Sequence, residues 1–288
     1  MNDARGLDVR GFLNRLGLRA PEAPSTGALH ALHRAFVERV PYETIEIQLE
    51  GSTTLDRFEA ADRIVRRKRG GYCFHMNGAF SVLLEALGYS VTLHRAGVEN
   101  HAVEHAGIFR NHLALTVKDL PDAPGTSWLV DVGLGDAMHE PLPLREGTYR
   151  QGPFAYALRP SEVAPGGWRF EHDPRGTFRG MDFDPAPAAM SDFAERHAFL
   201  WSSPESGFVR AFAAQRRDAR GVDILRSLTL SRVGDAQPGP RTVFESPAPW
   251  FAALADIFGL TLHDVSSRDR DRLWRKVVAQ HEAFVRGS

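Results

Sequence analysis

A single cysteine at the head of an apolar helical pattern constrains this chain more than any other feature. The stretch Arg69-Gly70-Gly71-Tyr72-Cys73-Phe74-His75-Met76-Asn77 holds the only cysteine among 288 residues. Met76, Phe80, Leu83 and Leu87 recur at i, i+4, i+7 and i+11, and Gly88 follows as a stop, so the spacing predicts a helix of roughly four turns starting at or just before Cys73. The thiol then lies in the first turn, where unpaired N–H groups and the positive end of the helix dipole favour a thiolate. Arg66, Arg67, Lys68 and Arg69 add positive charge upstream, and Gly70 with Gly71 permits a tight turn and the close approach of a bulky acyl donor. The plain alternative is a buried structural cysteine on an amphipathic helix. One cysteine also excludes an intramolecular disulfide and a cysteine-based zinc cluster.

The rest of the chain divides by period. Leu7, Phe12, Leu13 and Leu16 predict a helix within residues 6–20, Ser25 is placed to cap a second that Pro41 ends, and a third runs from about Asp56 to Lys68. The first 88 residues therefore read as almost wholly helical. From Tyr89 to Ala96 the pattern alternates as a strand does, and strand-like runs recur at Gly107 to Val117, Ser127 to Val132, Tyr156 to Leu158 and Trp168 to Phe170. Such density of short strands predicts a meander or barrel rather than parallel βαβ units. Beyond Ser191 both periods appear: helical over Ser191 to Trp201, Phe208 to Gln215, Pro249 to Phe258 and Asp269 to Val285, strand-like over Ile224 to Val233, with a surface turn at Asp235 to Pro240.

A thiol nucleophile needs a base, and the base needs an orienting group. His112 precedes the apolar strand Leu113 to Val117, and Asp131 ends Trp128-Leu129-Val130 before the turn Val132-Gly133-Leu134-Gly135-Asp136. Two neighbouring antiparallel strands would set the imidazole beside Cys73 and the carboxylate behind it. Read singly, His112 is also a satisfied strand-end histidine and Asp131 a turn former before glycine. Gly133-Leu134-Gly135 is too short for a nucleotide-binding fingerprint; it reads as backbone that lets a ligand come close, with Leu134 as an apolar wall. His101-Ala102-Val103-Glu104-His105 matches a zinc pattern in form, but Gly97, Asn100 and Gly107 bound it within the strand-rich region, which predicts a solvated loop rather than a metal-binding helix.

Arg69-Gly70-Gly71-Tyr72-Cys73 with Asn77, His112 and Val130-Asp131-Val132-Gly133-Leu134-Gly135 resembles the motifs of the arylamine N-acetyltransferases. Pro41-Tyr42-Glu43-Thr44-Ile45 is similar to that family's Pro-Phe-Glu-Asn segment, and Phe199 to Phe208 to its approach to the C-terminal part. The resemblance implies an α+β fold: a helical bundle carrying the nucleophile (1–90), a central antiparallel β-barrel carrying His and Asp (91–190), and an interdomain helix with an α/β lid (191–288). It implies a triad of Cys73, His112 and Asp131, acetyl-CoA as co-substrate without a permanently bound cofactor or metal, and an arylamine or arylhydrazine acceptor. The donor and acceptor would meet Gly133, Leu134, Gly135 and a slot lined by Leu134 and Phe208. His75, Thr44 and Leu134 depart from the family, which usually has Glu or Gln, Asn, and Phe at those places.

Rival readings are an amide synthase of the same scaffold that closes a macrolactam on a polyketide thioester, a transglutaminase- or papain-like thiol hydrolase, and a binding module with an idle triad. Cys73 and His112 lie 39 residues apart, far below the papain spacing of roughly 130 to 150. A net charge of −1 argues against a broad nucleic-acid surface. Met1 to Arg5 begins no apolar signal core, and no run approaches the roughly eighteen apolar residues that span a bilayer, so a cytoplasmic location is expected.

Overall fold

A computed structural model of the chain describes residues 6–51, 53–100, 105–234 and 239–287. Local signals set the first elements. Helices α1 (Val9–Leu16) and α2 (Thr26–Arg39) lie within the expected spans, and the Ser25 hydroxyl caps α2 by accepting the Ala28 N–H at 3.2 Å. A two-residue strand β1 (Tyr42–Glu43), the single turn α3 (Ile45–Gln48) and α4 (Arg57–Asp62) follow. The helix expected to run on to Lys68 instead widens into a π-helical turn over Arg63–Arg67 and stops at Lys68, whose φ is +58°. Helix α5 (Cys73–Ala86) starts at the cysteine, as its spacing predicts. It is not amphipathic: every residue from Cys73 to Leu84 is buried, because the other helices cover one side and the barrel the other.

The barrel consists of β2 (Ser90–Asn100), β3 (His112–Lys118), β4 (Trp128–Val130), β5 (Leu142–Pro143), β6 (Gly147–Gln151), β7 (Phe154–Pro160), β8 (Trp168–Glu171) and β9 (Phe178–Pro187). All pair antiparallel in the order β5-β4-β3-β2-β9-β8-β7-β6, and the two edges are consecutive in the chain, so the sheet curls almost closed. Phe154, Tyr156, Phe170 and Phe183 fill its interior. Two differences from the sequence expectation matter. The run expected from Gly107 pairs only from His112 onward, and β9 carries no strand signal of its own, since Gly180, Asp182, Asp184, Pro185 and Pro187 interrupt its apolar residues. Pairing with β2 on one side and β8 on the other holds it extended.

A 3₁₀ turn (Met190–Phe193) and α6 (Ala194–Ser202) lead to α7 (Gly207–Arg210) and to strands β10 (Ala213–Asp218), β11 (Gly221–Arg226), β12 (Thr229–Val233) and β13 (Thr242–Val243), then α8 (Pro247–Phe258) and α9 (Ser267–Gly287). The helix expected over Phe208 to Gln215 is thus one turn and a strand, and the single strand expected over Ile224 to Val233 is a hairpin that reverses at Ser227, φ +47°. β1 forms the edge of this sheet by pairing with β10, so the N-terminal segment is stitched into the C-terminal one. Trp250, Leu254, Phe258, Leu273 and Val277 cover the sheet's outer face. Among the described residues no helix is long and apolar enough to cross a membrane. The His101 to Glu104 part of the zinc-like run, the Asp235 to Pro238 turn and Met1 to Arg5 lie outside the described residues.

Candidate active site

The head of α5 is fixed by contacts with β1. Glu43 N–H donates to the Gly71 carbonyl at 3.0 Å, and a Cβ added to Gly70 would stand 1.7 Å from the Pro41 carbonyl oxygen, so only glycine lets the two segments approach. Below them Glu43 accepts from Arg63 at 2.9 Å and Arg69 at 3.2 Å. Burial opposes its charge, yet the two guanidinium groups hold its pKa down at about 2. This changes the meaning of the cationic run: Arg69 is 1% exposed and neutralised by Glu43, and Arg66 points to solvent beside Asp62.

Cys73 is buried, with its sulfur 3.5 Å from the Asn111 carbonyl oxygen. His112 opens β3 and Asp131 directly follows β4, and the antiparallel register of the two strands brings their side chains together: His112 Nε2 lies 2.7 Å from Asp131 Oδ2. The remaining imidazole nitrogen, Nδ1, is left free of Asp131, and Cys73 is close enough to act on the imidazole's charge. Full desolvation would strip its proton, but the charges of Asp131 and of the Cys73 sulfur outweigh that and push its pKa up to about 10. The structure therefore places the three predicted residues side by side.

The carboxylate is fixed on its other side as well. Asp131 Oδ1 accepts from Asn77 Nδ2 at 2.7 Å and from Gly133 N–H at 2.9 Å. Asn77 also donates to the Leu113 carbonyl at 2.6 Å and accepts Val132 N–H at 2.9 Å, tying α5 to both strands. A Cβ on Gly133 would stand 2.9 Å from Cys73 Cα, so glycine allows this turn to press on the helix head. Beneath lies His33, its ring nitrogens 3.1 Å from the Asp131 carbonyl and 3.0 Å from that of His139. Burial holds it neutral, with its pKa lowered to about 4.

The remaining predicted site residues line the surroundings. Leu134 and Gly135 border a cavity of about 10 Å³ shared with Tyr42, Met76, Asp131 and Gln215. Phe208 is half-buried, its ring 5.3 Å from Tyr72 and 6.3 Å from Tyr42. His75 packs edge-on to Tyr72 at 4.5 Å, and burial lowers its pKa to about 3. Farther out, a cleft of about 650 Å³ opens between the barrel and the lid sheet. Arg175, Arg210, Arg226 and Arg241 line it with Thr229 and Ser231, and its lining includes no carboxylate. Among the described residues Arg210, Arg226 and Arg241 have no ion-pair partner. Among those residues, too, no group of three or more His, Cys, Asp or Glu side chains is placed to hold a metal ion.

Asn77 lies four residues after Cys73 on the same helix face, the one sequence signal that links it to the thiol; its hold on Asp131 emerges only in the fold. The cleft arginines had no such signal, because they come from a barrel loop, a helical turn, the end of β11 and the segment just before β13.

Residues 25–266 match the N-acetyltransferase family model. The arylamine N-acetyltransferase of Mycolicibacterium smegmatis is 29% identical over 273 residues, 91% of this chain and 95% of that protein. Among solved structures, the arylamine N-acetyltransferase from Salmonella typhimurium superposes with a TM-score of 0.83 at 22% identity, covering 97% of this chain and 100% of that one. The Mycobacterium marinum arylamine N-acetyltransferase in complex with CoA gives 0.82 at 24% identity, covering 94% and 98%. These matches run through the cysteine-bearing helix, the barrel and the lid sheet together, and on that ground the chain belongs to the arylamine N-acetyltransferase family.

Proposed function

We propose that the protein transfers an acetyl group from acetyl-CoA to an arylamine or arylhydrazine through an acetyl-Cys73 intermediate. The observation that carries this reading is the 2.7 Å pairing of His112 with Asp131 next to a sulfur at the head of α5. In the reading, His112 keeps a proton and Cys73 is the thiolate, which attacks the thioester carbonyl carbon. The sulfur of coenzyme A leaves and takes the His112 proton. Neutral His112 then removes a proton from the incoming amine as its nitrogen attacks the acetyl-cysteine, and Cys73 is regenerated as thiolate. An arylamine is largely unprotonated near neutral pH and attacks directly, whereas an alkylamine is mostly ammonium. Asp131, held by Asn77, Gly133 and His112, is the orienting group.

The arginine-lined cleft supports the choice of donor. Coenzyme A carries three phosphate groups, and unpaired guanidinium groups suit them with bidentate hydrogen bonds. A relative has been solved with CoA, which favours the same ligand here. Gly133, Leu134, Gly135 and Phe208 are assigned to the acyl end and the acceptor ring.

Weighing the protein after exposure to acetyl-CoA alone tests this. Wild type is expected to gain one acetyl mass that an added arylamine discharges, and Cys73→Ala to gain none; equal labelling of both removes the acyl-enzyme.

A further inference from the structure

We propose that the Tyr42 hydroxyl donates a hydrogen bond to the carbonyl oxygen of the reacting acetyl group, making Tyr42 a further catalytic residue. This rests on the acyl-transfer reading and adds to it a group that the family's Pro-Phe-Glu-Asn segment lacks, since Tyr42 stands where that segment has phenylalanine.

The backbone sets Tyr42 at the reacting end of the site. It bridges to Gly71, two residues before Cys73, and pairs with Gln215 of β10. Its ring lies against Gly135, where an added Cβ would be 3.6 Å from Tyr42 Cγ, and it shares the small cavity with Asp131 and Met76. All of these are contacts of backbone or ring that a phenylalanine would make equally well. The hydroxyl has no hydrogen-bond partner among the described residues. Tyr42 is half-buried, so the hydroxyl's hydrogen-bonding capacity is left to solvent or to a ligand in the cavity.

Its electrostatic surroundings are consistent with that place. Desolvation first, then the negative charge at Cys73, followed by Tyr72 and Asp136, push the phenol's pKa well above its ordinary value. The group therefore stays a neutral O–H donor across the working range, with Cys73 among the groups near it. When the sulfur bonds to the acetyl carbon, the carbonyl π pair moves onto oxygen. Tyr42 O–H then hydrogen-bonds that oxygen without giving up its proton, beside the Cys73 N–H, which helix geometry leaves without an internal acceptor. Collapse restores the C=O bond as the donor's sulfur departs with the His112 proton.

The test is Tyr42→Phe, which keeps the ring. Acetylation of Cys73 by acetyl-CoA and by p-nitrophenyl acetate should slow about 10²- to 10³-fold. Alkylation of Cys73 by iodoacetamide, which develops no oxyanion, should stay within about twofold of wild type, so that fold and thiolate are seen to be intact. Unchanged acetylation overturns the proposal, and so does alkylation that falls in parallel, which would place the hydroxyl's effect on the sulfur. If wild type itself forms no acetyl adduct while still being alkylated, the acyl-transfer reading fails and the Tyr42 role falls with it.

Discussion

The relay around Asp131 and the arginine cleft follow opposite electrostatic designs. Asp131 has both oxygens occupied by Asn77, Gly133 and His112 and is 1% exposed, whereas Arg210, Arg226 and Arg241 face an open cleft without a carboxylate. A buried charge has to be partnered before any ligand arrives, because desolvation is costly. A cleft charge can remain hydrated until a polyanion replaces the water. On the proposed function, chemistry is preorganised and binding charge is held in reserve.

The largest expected effect comes from breaking the first design. In Asp131→Asn the side-chain oxygen keeps the Asn77 and Gly133 donors, so the amide nitrogen is forced towards His112 Nε2, which must then accept. The proton moves to the nitrogen facing the sulfur, and the imidazole can no longer take one. Activity should fall about 10³- to 10⁴-fold with the thermal midpoint little changed; a loss under tenfold would show that the carboxylate does not orient the base.

Weakening the second design should act on binding alone. Arg226→Gln is expected to raise KM for acetyl-CoA about tenfold, the worth of one charge-assisted hydrogen bond, with kcat and the rate with p-nitrophenyl acetate unchanged. Added salt should erase part of the difference between variant and wild type. Equal loss with both donors would remove the cleft from phosphate binding.

The smallest effect separates charged from silent imidazoles. His112, raised from 6.5 to about 10, contributes stability that is complete below pH 6.5 and is lost as pH rises through 10. His33 and His75, lowered to about 4 and about 3, contribute stability that is complete above pH 6.5 and is lost as pH falls towards those values. Denaturant melts from pH 4 to 10 should therefore show a maximum near 6.5, with slopes of at most about 1.4 kcal/mol per pH unit for each proton. His75→Gln should flatten the acid limb only; an unchanged limb would mean that His75 does not titrate on unfolding.

The three positions proposed as a triad were legible as candidates because each sits at a boundary with a local mark: glycines before Cys73, an apolar strand after His112, a Gly-x-Gly turn after Asp131. Ser25 marked α2 in the same way. β9 was not legible, because its prolines and aspartates deny a strand until β2 and β8 flank it. Phe208 to Gln215 misled for the converse reason: a helical spacing of apolar residues is overridden where β1 and β11 supply ladders on both sides of β10. Tyr42 lay in a recognised segment, but its hydroxyl gained meaning only when the ring contacts and the neighbouring sulfur were known.

The sequence by itself determined that a helix begins at Cys73, that a histidine and an aspartate end up at the start and end of neighbouring strands, and which family the whole resembles. These follow from short-range propensity and patterning, which act within a few residues. Tertiary structure alone decided that Arg69 serves Glu43 rather than the sulfur, that Asn77 clamps Asp131, and that arginines from four separate segments line one cleft. Those outcomes depend on which distant groups are brought within hydrogen-bonding distance and shielded from water, and no window of sequence contains both partners.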